Sequence, residues 1–271
     1  MNEIISQEQN VSEAFSRQAV HFDNYDLQNP VIQRMRKQVH THLLSLLNPG
    51  DQILELNSGT GIDAIFLARN NFSVHATDNA EGMLKMIKQK ITALGLEKKI
   101  SLQKCSFNDL EDIKGKKFDH IFSNFGGLNC SENIDIVIKQ FEDLLKPGGR
   151  VTLVIMPTIC PWELLLALKG NFRTAFRRLT KKGVRSHLEG IYFDTYYYSA
   201  RRVLNAFDKK LYEKICIKGL AILSPPPYLD KFCKKYPKIF KMLCRAEEKI
   251  DQLPPFNSWA DHFIISMRKM N

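Results

Sequence analysis

Closely spaced cysteine pairs and long apolar runs are both missing from this 271-residue sequence. The six cysteines include no C-x-x-C pair, so their spacing argues against a zinc site, another metal site or a disulfide framework. No run approaches the roughly 20 apolar residues that span a bilayer. The polar stretch 1–10 also lacks the apolar region of a signal peptide. These absences predict a cytoplasmic protein that holds no metal.

Acidic residues are also in short supply. The chain has 29 Asp and Glu against 39 Lys and Arg, which gives a formal net charge of +10. Such an excess predicts attraction to an anionic partner, namely nucleic acid, a membrane surface or an acidic substrate. The length suits one α/β domain with insertions better than two full domains. The hydrophobic fraction of 44% is ordinary for a chain with a buried core.

Apolar periodicity predicts strands that alternate with helices. Helices are expected at 31–47, 62–70, 82–94, 133–145 and 199–207. Strands are expected at 52–56, 72–77, 100–104, 118–123, 150–156, 211–223 and 262–267. This alternation indicates an α/β fold with a doubly wound, mostly parallel sheet and helices on both faces.

The strongest chemical signal is the loop after the first strand. The strand at 53–56 leads into Asn57-Ser58-Gly59-Thr60-Gly61, where two glycines allow the backbone to pass close to a ligand. Asp78 ends the second strand, where a carboxylate accepts hydrogen bonds from ribose hydroxyls. Together they predict an adenosine-containing cofactor. Gly59, Gly61 and Ala64 also satisfy the dinucleotide pattern G-x-G-x-x-G/A, which leaves a nicotinamide cofactor open.

Three further features favour an adenosine-containing cofactor other than a nicotinamide dinucleotide. Glu55 lies inside the first strand, where a buried carboxylate is costly unless it binds something. The sequence Lys-Pro-Gly-Gly at 146–149 precedes the fifth strand. The fourth strand ends in polar residues, Ser123 and Asn124, at the ligand edge of the sheet.

With these motifs the chain resembles the class I S-adenosylmethionine-dependent methyltransferases. The likeness is greatest to the small-molecule group that resembles the ubiquinone and menaquinone methyltransferases. It covers about 15–155 and, more weakly, 196–223 and 262–268. It implies a Rossmann-like sheet of seven strands whose last strand is antiparallel. It also implies S-adenosylmethionine as cofactor and S-adenosylhomocysteine as product.

The resemblance also assigns residues to the cofactor. Glu55 and the 57–61 backbone would hold the methionine end, and Asp78 would bind the ribose. Asn79, Met83, Ser106 and Phe107 would surround the adenine, Asn124 and Phe125 would lie near the sulfonium, and Tyr25 would cover the cofactor. The full set is Tyr25, Glu55, Asn57, Gly59, Gly61, Asp78, Asn79, Met83, Ser106, Phe107, Asn124 and Phe125. Asn57 stands where the family usually has glycine, and asparagine tolerates the left-handed backbone expected there.

We expect a three-part organisation. Residues 1–156 form the cofactor-binding core with an N-terminal helical segment, and 157–195 form a helical, basic lid insertion. Residues 196–271 complete the sheet and include a helical insertion at 224–258. Both insertions leave the sheet at its ligand side and are expected to cap the site. Their basic amphipathic pattern suits an anionic membrane surface or an anionic substrate, and equally the solvated face of a lid.

The expected reaction is in-line methyl transfer to a small hydrophobic or aromatic metabolite, at oxygen or carbon. Because the donor is already activated, alignment and desolvation suffice, and no catalytic residue can be named from the sequence. Substrate contacts are expected from Trp162, His187, Tyr196, Tyr197 and His262. The alternative is a nucleic-acid (RNA) methyltransferase. Amino-methylating DNA enzymes carry an Asn/Asp-Pro-Pro-Tyr/Phe motif after strand four, which is absent here, so nucleic acid is not the expected partner.

Overall fold

The computed structural model describes residues 2–271 and contains nine strands and eleven α-helices in that range. The strands are β1 (Gln52–Leu56), β2 (Ser73–Asp78), β3 (Ile100–Lys104), β4 (Phe118–Ser123), β5 (Leu145–Ile155), β6 (Val184–Leu188), β7 (Ile191–Thr195), β8 (Tyr212–Leu220) and β9 (His262–Lys269). The helices are α1 (Asn2–Gln28), α2 (Pro30–Leu46), α3 (Ile62–Arg69), α4 (Glu81–Leu94), α5 (Ile134–Lys139), α6 (Phe141–Leu144), α7 (Pro161–Leu164), α8 (Phe172–Phe176), α9 (Ala200–Ala206), α10 (Asp230–Lys235) and α11 (Pro237–Glu247). None of the described helices is long and apolar enough to cross a membrane.

Seven strands form one sheet in the order β3-β2-β1-β4-β5-β9-β8. Strands β1 to β5 are parallel, and β9 runs antiparallel to both β5 and β8. The predicted fold class is confirmed, including the antiparallel last strand. The strand order reverses between β1 and β4, so the crevice where such sheets bind ligands opens above those two strands.

Successive residues of β1 enter two separate cores, one on each face of the sheet. Leu54 and Leu56 pack with α5, α6 and α9, whereas Ile53 packs with α2, α3 and α4. Because side chains alternate across a strand, Glu55 points to the same face as Ile53. The β1 sequence therefore has to be apolar on both faces, and Glu55 is an exception within it.

The first insertion differs from the prediction that 157–195 is helical. Helical turns reach only to Leu179, and β6 and β7 pair as an antiparallel hairpin. Alternating residues of the hairpin face inward, and the connecting Glu189 and Gly190 both have positive φ, at 50° and 83°. Two such residues form the tight turn that matches the twist of paired strands. The prediction extended the helical pattern of the preceding basic stretch and missed the change from a helical to a strand repeat.

The second insertion is helical over α10 and α11. Glu247, at the end of α11, fixes it to the rest of the fold. One carboxylate oxygen of this buried residue accepts hydrogen bonds from the backbone N–H groups of residues 222–224. The other oxygen pairs with Arg34 of α2 at 2.6 Å. Turns follow from residue 248, although the helical insertion was expected as far as residue 258, and Pro254 and Pro255 cannot donate helical hydrogen bonds.

Candidate functional site

A cavity of about 460 Å³ lies at the carboxyl ends of β1, β2 and β4. The sheet contributes Asn57, Gly59, Asp78 and Asn124 to its floor. Helix α1 and the β6–β7 hairpin cover it with largely apolar side chains, among them Phe15, Phe22, Leu188 and Phe193. A mainly apolar cavity with a few polar groups at one end is typical of a small-molecule site.

The loop after β1 is held in a left-handed bend over the floor of this cavity. Asn57 has φ of 46°, as expected for the residue that replaces the usual glycine. Its side chain accepts a hydrogen bond from Ser123 Oγ (2.6 Å) and donates one to the carbonyl oxygen of Asn124 (3.1 Å). The asparagine therefore ties the β1 loop to the end of β4, which glycine could not do.

Asp78 links the ends of β1 and β2. One carboxylate oxygen accepts a hydrogen bond from Gly59 N and the other from Ala80 N, both at 2.8 Å. Burial raises the pKa of Asp78, and the backbone N–H groups of Ala80, Gly59 and Asn79 oppose that rise. The carboxylate also lines the cavity, so its remaining lone pairs can accept hydrogen bonds from ligand hydroxyls.

Glu55 lies behind the loop and does not line the cavity. Its side chain is buried, and Oε2 has no hydrogen-bond partner among residues 2–271. Burial raises the pKa of Glu55 well above its usual range, and the nearby Asp63 carboxylate raises it further. An unpartnered buried carboxyl group beneath this loop fits a cationic ligand group that would satisfy it.

A buried charge network beside the cavity was not predicted from the sequence. The Arg36 guanidinium bridges Asp26 and Asp63, with Nη1 at 2.6 Å from Asp63 Oδ1. Asp63 also contacts His40 Nε2 (2.6 Å) and accepts a hydrogen bond from Asn124 Nδ2 (2.8 Å). Burial alone would raise the pKa of Asp63, but Arg36 and His40 hold it well below its usual range. Asp26, Arg36 and Asp63 all line the cavity.

A signal for this network was present in the sequence. Arg36 follows Ile32 by four residues and precedes Val39 by three, so it falls on the apolar stripe of α2. An arginine in that position must be paired if the stripe is buried. Asp63, two residues after the second loop glycine, was a carboxylate within reach of the same edge of the sheet.

The structure gathers most of the expected cofactor residues around one cavity. Glu55 and Gly61 lie behind the lining, and Gly61 packs against Ile87 of α4. Of the five expected substrate residues, only His187 lines the cavity. The expected cofactor residues in the lining are Tyr25, Asn57, Gly59, Asp78, Asn79, Met83, Ser106, Phe107, Asn124 and Phe125.

The other four expected substrate residues, Trp162, Tyr196, Tyr197 and His262, lie outside the cavity lining. The Tyr197 ring lies 5.0 Å from the Arg178 guanidinium. His262 Nδ1 contacts Asp261 Oδ2 at 2.8 Å, and its ring meets the edge of Phe125, with 5.9 Å between centroids. Trp162 was expected at the site because the first insertion leaves the ligand side of the sheet, and His262 because it begins the last strand. The hairpin, together with α1, covers the cavity instead.

The two loop glycines should respond differently to substitution. Alanine at 61 places Cβ 2.3 Å from Ile87 Cγ1 in a backbone with φ of 81°, so we expect a loss of about 3 kcal/mol in the free energy of unfolding. Alanine at 59 meets no atom within 4 Å but enters the cavity. It should cost only about 1 kcal/mol from its positive φ and weaken S-adenosylhomocysteine binding at least tenfold. Denaturant titration and calorimetry measure the two effects.

Gly50→Ala is the control for backbone strain. Its φ is 88°, it also has no atom within 4 Å of an added Cβ, and it does not line the cavity. Its stability loss should match that of Gly59→Ala, with ligand binding unchanged. Equal ligand affinity in Gly59→Ala and Gly50→Ala would contradict the placement of a ligand against Gly59.

Comparison with known proteins agrees with this geometry. Residues 53–149 match the model of a methyltransferase domain. The demethylmenaquinone methyltransferase of Bacillus cytotoxicus is 31% identical over 152 residues, which are 54% of this chain. The match spans about 62% of that relative's length.

Two solved structures share the fold. A SAM-dependent methyltransferase from Methanosarcina mazei aligns with a TM-score of 0.59 and 16% identity, over 84% of this chain and 96% of that one. The geranyl diphosphate C-methyltransferase of Streptomyces coelicolor, in complex with S-adenosyl-L-homocysteine, aligns with a TM-score of 0.58 and 11% identity, over 88% and 81%. At these identities the likeness shows a common fold and no more.

The domain match covers the strands and loops that form the floor of the cavity, and the structural likeness extends over most of the chain. Residues 53–149 therefore resemble a methyltransferase domain, in a chain that shares its fold with a solved S-adenosylmethionine-dependent methyltransferase.

Proposed function

We propose that this chain binds S-adenosylmethionine in the 460 Å³ cavity and transfers its methyl group to a small hydrophobic or aromatic metabolite. One observation carries the proposal. The Asp78 carboxylate lines the cavity and is hydrogen-bonded to the backbone of Gly59, the residue beside which the loop leaves open space. The carboxylate that would accept the ribose hydroxyls is thus fixed to the loop that a ligand could approach closely.

The residues around the cavity fit each part of this cofactor. Asp78 would accept hydrogen bonds from the ribose hydroxyls, and Asn79, Met83, Ser106 and Phe107 would enclose the adenine. Glu55 lies behind the loop with one unpartnered oxygen, so it would act on the ammonium of the methionine end from beneath the loop without direct contact, and the ammonium would favour its ionised form. When bound, the cofactor supplies an electrophilic methyl group on a positively charged sulfur.

The apolar lining supports an apolar acceptor. Phe15, Phe22, Phe125 and Phe193 border the cavity, and such a lining excludes water and favours alignment of the two reactants. The name of the relative, a demethylmenaquinone methyltransferase, agrees with an aromatic acceptor. His187 is the one expected substrate residue in the lining; its side chain is exposed and packs on Tyr192, so we assign it to the rim of the cavity at the acceptor end.

The direct test is calorimetry followed by a transfer assay. S-adenosylhomocysteine should give saturable heat with one site per chain, whereas a nicotinamide dinucleotide should give none. Radiolabelled S-adenosylmethionine should then label phenolic or quinone acceptors in preference to RNA. Heat with the dinucleotide and none with S-adenosylhomocysteine would refute the cofactor assignment.

The net charge of +10 is the observation that favours RNA as an alternative acceptor. Label transferred to RNA but to no small aromatic compound would establish that alternative. A steep loss of RNA binding with added salt would accompany it, because phosphate contacts release counterions.

A further inference from the structure

A buried ion cluster joins the first basic insertion to the segment that follows the second. Arg178 Nη2 of the first insertion pairs with Glu163 Oε1 at 2.7 Å and with Asp261 Oδ1 at 2.9 Å. Asp261 lies three residues beyond the second insertion, immediately before β9. Both carboxylates also lie close to Cys160, but they are already paired with arginine, so this cluster connects the first insertion to the start of β9. Arg177 adds a second ion pair to Glu163.

The first insertion exposes apolar side chains that have nothing to cover them among the described residues. Leu168 is 85% exposed and Phe172 is 61% exposed. The rings of Phe172 and Phe176 stack on each other, with 6.5 Å between centroids, instead of entering the core. Contiguous exposed apolar groups of this kind indicate an interaction site. The exposed apolar set is Leu165, Leu168, Phe172, Phe176 and Leu179.

Exposed cations lie next to these side chains in the sequence. No acidic residue occurs from 164 to 188. Within the described chain, none of the four exposed cations beside the apolar set forms a salt bridge. They are Lys169, Arg173, Lys181 and Lys182.

The outer stripe of α11 repeats the same combination. Cys244 and Glu247 face inward, and Glu247 is fixed to Arg34 and to the backbone at 222–224. Lys238, Lys241, Met242 and Arg245 are spaced at three and four residues and are exposed on the other side. Met242 is 61% exposed, and the three cations have no salt bridge to the side chains of residues 6–271.

We propose that these two groups form one membrane-docking surface for an anionic bilayer. It is defined by the apolar set and cations of the first insertion together with the outer stripe of α11. The cations would be attracted to acidic headgroups, and the leucine and phenylalanine side chains would enter the acyl boundary. This surface goes beyond the proposed methyl transfer and does not depend on it.

Two other occupants fit the surface less well. A nucleic acid would use the cations but would leave the exposed leucine side chains without a partner. A second copy of the chain would bring surfaces of the same charge against each other, which is unfavourable. An anionic bilayer satisfies both the charge and the apolar groups.

Vesicle sedimentation tests the proposal. Wild-type protein should bind vesicles with 30% phosphatidylglycerol in phosphatidylcholine at low salt, and bind pure phosphatidylcholine at least tenfold more weakly. The charge-reversal variant Lys238→Glu/Lys241→Glu/Arg245→Glu should weaken partitioning to the anionic vesicles at least tenfold, since each cation near such a surface contributes attraction. Leu168→Ser/Phe172→Ser should weaken it by a similar factor without changing the charge.

The matched control is Lys85→Glu/Lys88→Glu/Lys98→Glu, which lowers the net charge equally through exposed lysines outside both insertions. It should change partitioning less than threefold. Because every substituted residue is exposed and none lines the cavity, each variant should keep the wild-type unfolding temperature, which verifies that it is folded.

Several outcomes would overturn the docking surface and leave the proposed methyl transfer standing. The first is an absence of vesicle binding at low salt. The second is a loss of partitioning in the control variant equal to that in the charge-reversal variant. The third is undiminished partitioning in either surface variant. RNA binding that the triple reversal abolishes, without vesicle binding, would assign the surface to nucleic acid. A concentration-dependent dimer that the serine variant disrupts, again without vesicle binding, would assign it to a second copy.

Discussion

Asp78→Ala is expected to weaken S-adenosylhomocysteine binding by on the order of a thousandfold. Two hydrogen bonds from ribose hydroxyls to a charged carboxylate contribute roughly 1.5–3 kcal/mol each, and 1.4 kcal/mol corresponds to a factor of ten in affinity. The substitution also removes the acceptors of Gly59 N and Ala80 N, so the loop loses its fixed position. Calorimetry measures the affinity.

Glu81→Ala is the control for this prediction. Glu81 lies three residues further along the chain, has an exposed side chain and pairs with Lys104 on the surface. It does not line the cavity, so its removal should leave the affinity unchanged. A change of less than about fivefold for Asp78→Ala, in protein that unfolds at the wild-type temperature, would contradict the ribose assignment.

Arg36→Leu is expected to lower the free energy of unfolding by about 3–5 kcal/mol, because it leaves buried carboxylates without their cation. Asp63 is the carboxylate most affected. It is buried, and Arg36 is the main reason that its pKa lies below the usual range. Urea unfolding at neutral pH measures the loss.

The pH dependence of this loss follows from the same interaction. In wild-type protein the lowered pKa of Asp63 contributes stability above the usual aspartate pKa, and that stability is lost as the pH falls below it. Without the guanidinium, burial would raise the pKa of Asp63. The variant would then regain part of its free energy of unfolding when the carboxylate takes up a proton. The difference between variant and wild type should therefore narrow as the pH falls from 7 to about 4.

Arg202→Leu provides the comparison. Arg202 pairs with Asp135 at the surface, where its side chain is half exposed. Exposed ion pairs contribute roughly 0–1 kcal/mol, so this loss should be small and should depend little on pH. Equal losses in the two variants would show that the Arg36 network is no more than a surface ion pair.

The sequence determined the sheet and the floor of the cavity because both depend on local patterns. Two-sided apolar strands specify a sheet that is covered on both faces. Gly59, with φ of 55°, and Asp78 lie within a few residues of two strand ends, and the hydrogen bond between them forms there. Asn57 was expected to adopt a left-handed backbone, and it does.

Tertiary structure decided what covers the cavity and what is buried beside it. Gln7 of α1 exchanges two hydrogen bonds with the backbone of Asp194 in β7, at 2.8 and 3.0 Å, across 187 positions of sequence. That contact holds α1 to the hairpin, and both elements line the cavity, whereas no residue of the basic helices α8, α10 and α11 lines it. Arg36 likewise meets Asp63 only when α2 packs on α3. Such pairings depend on the relative placement of distant elements. The periodicity of the sequence shows which face of a helix or strand a side chain occupies, but not which partner it contacts there.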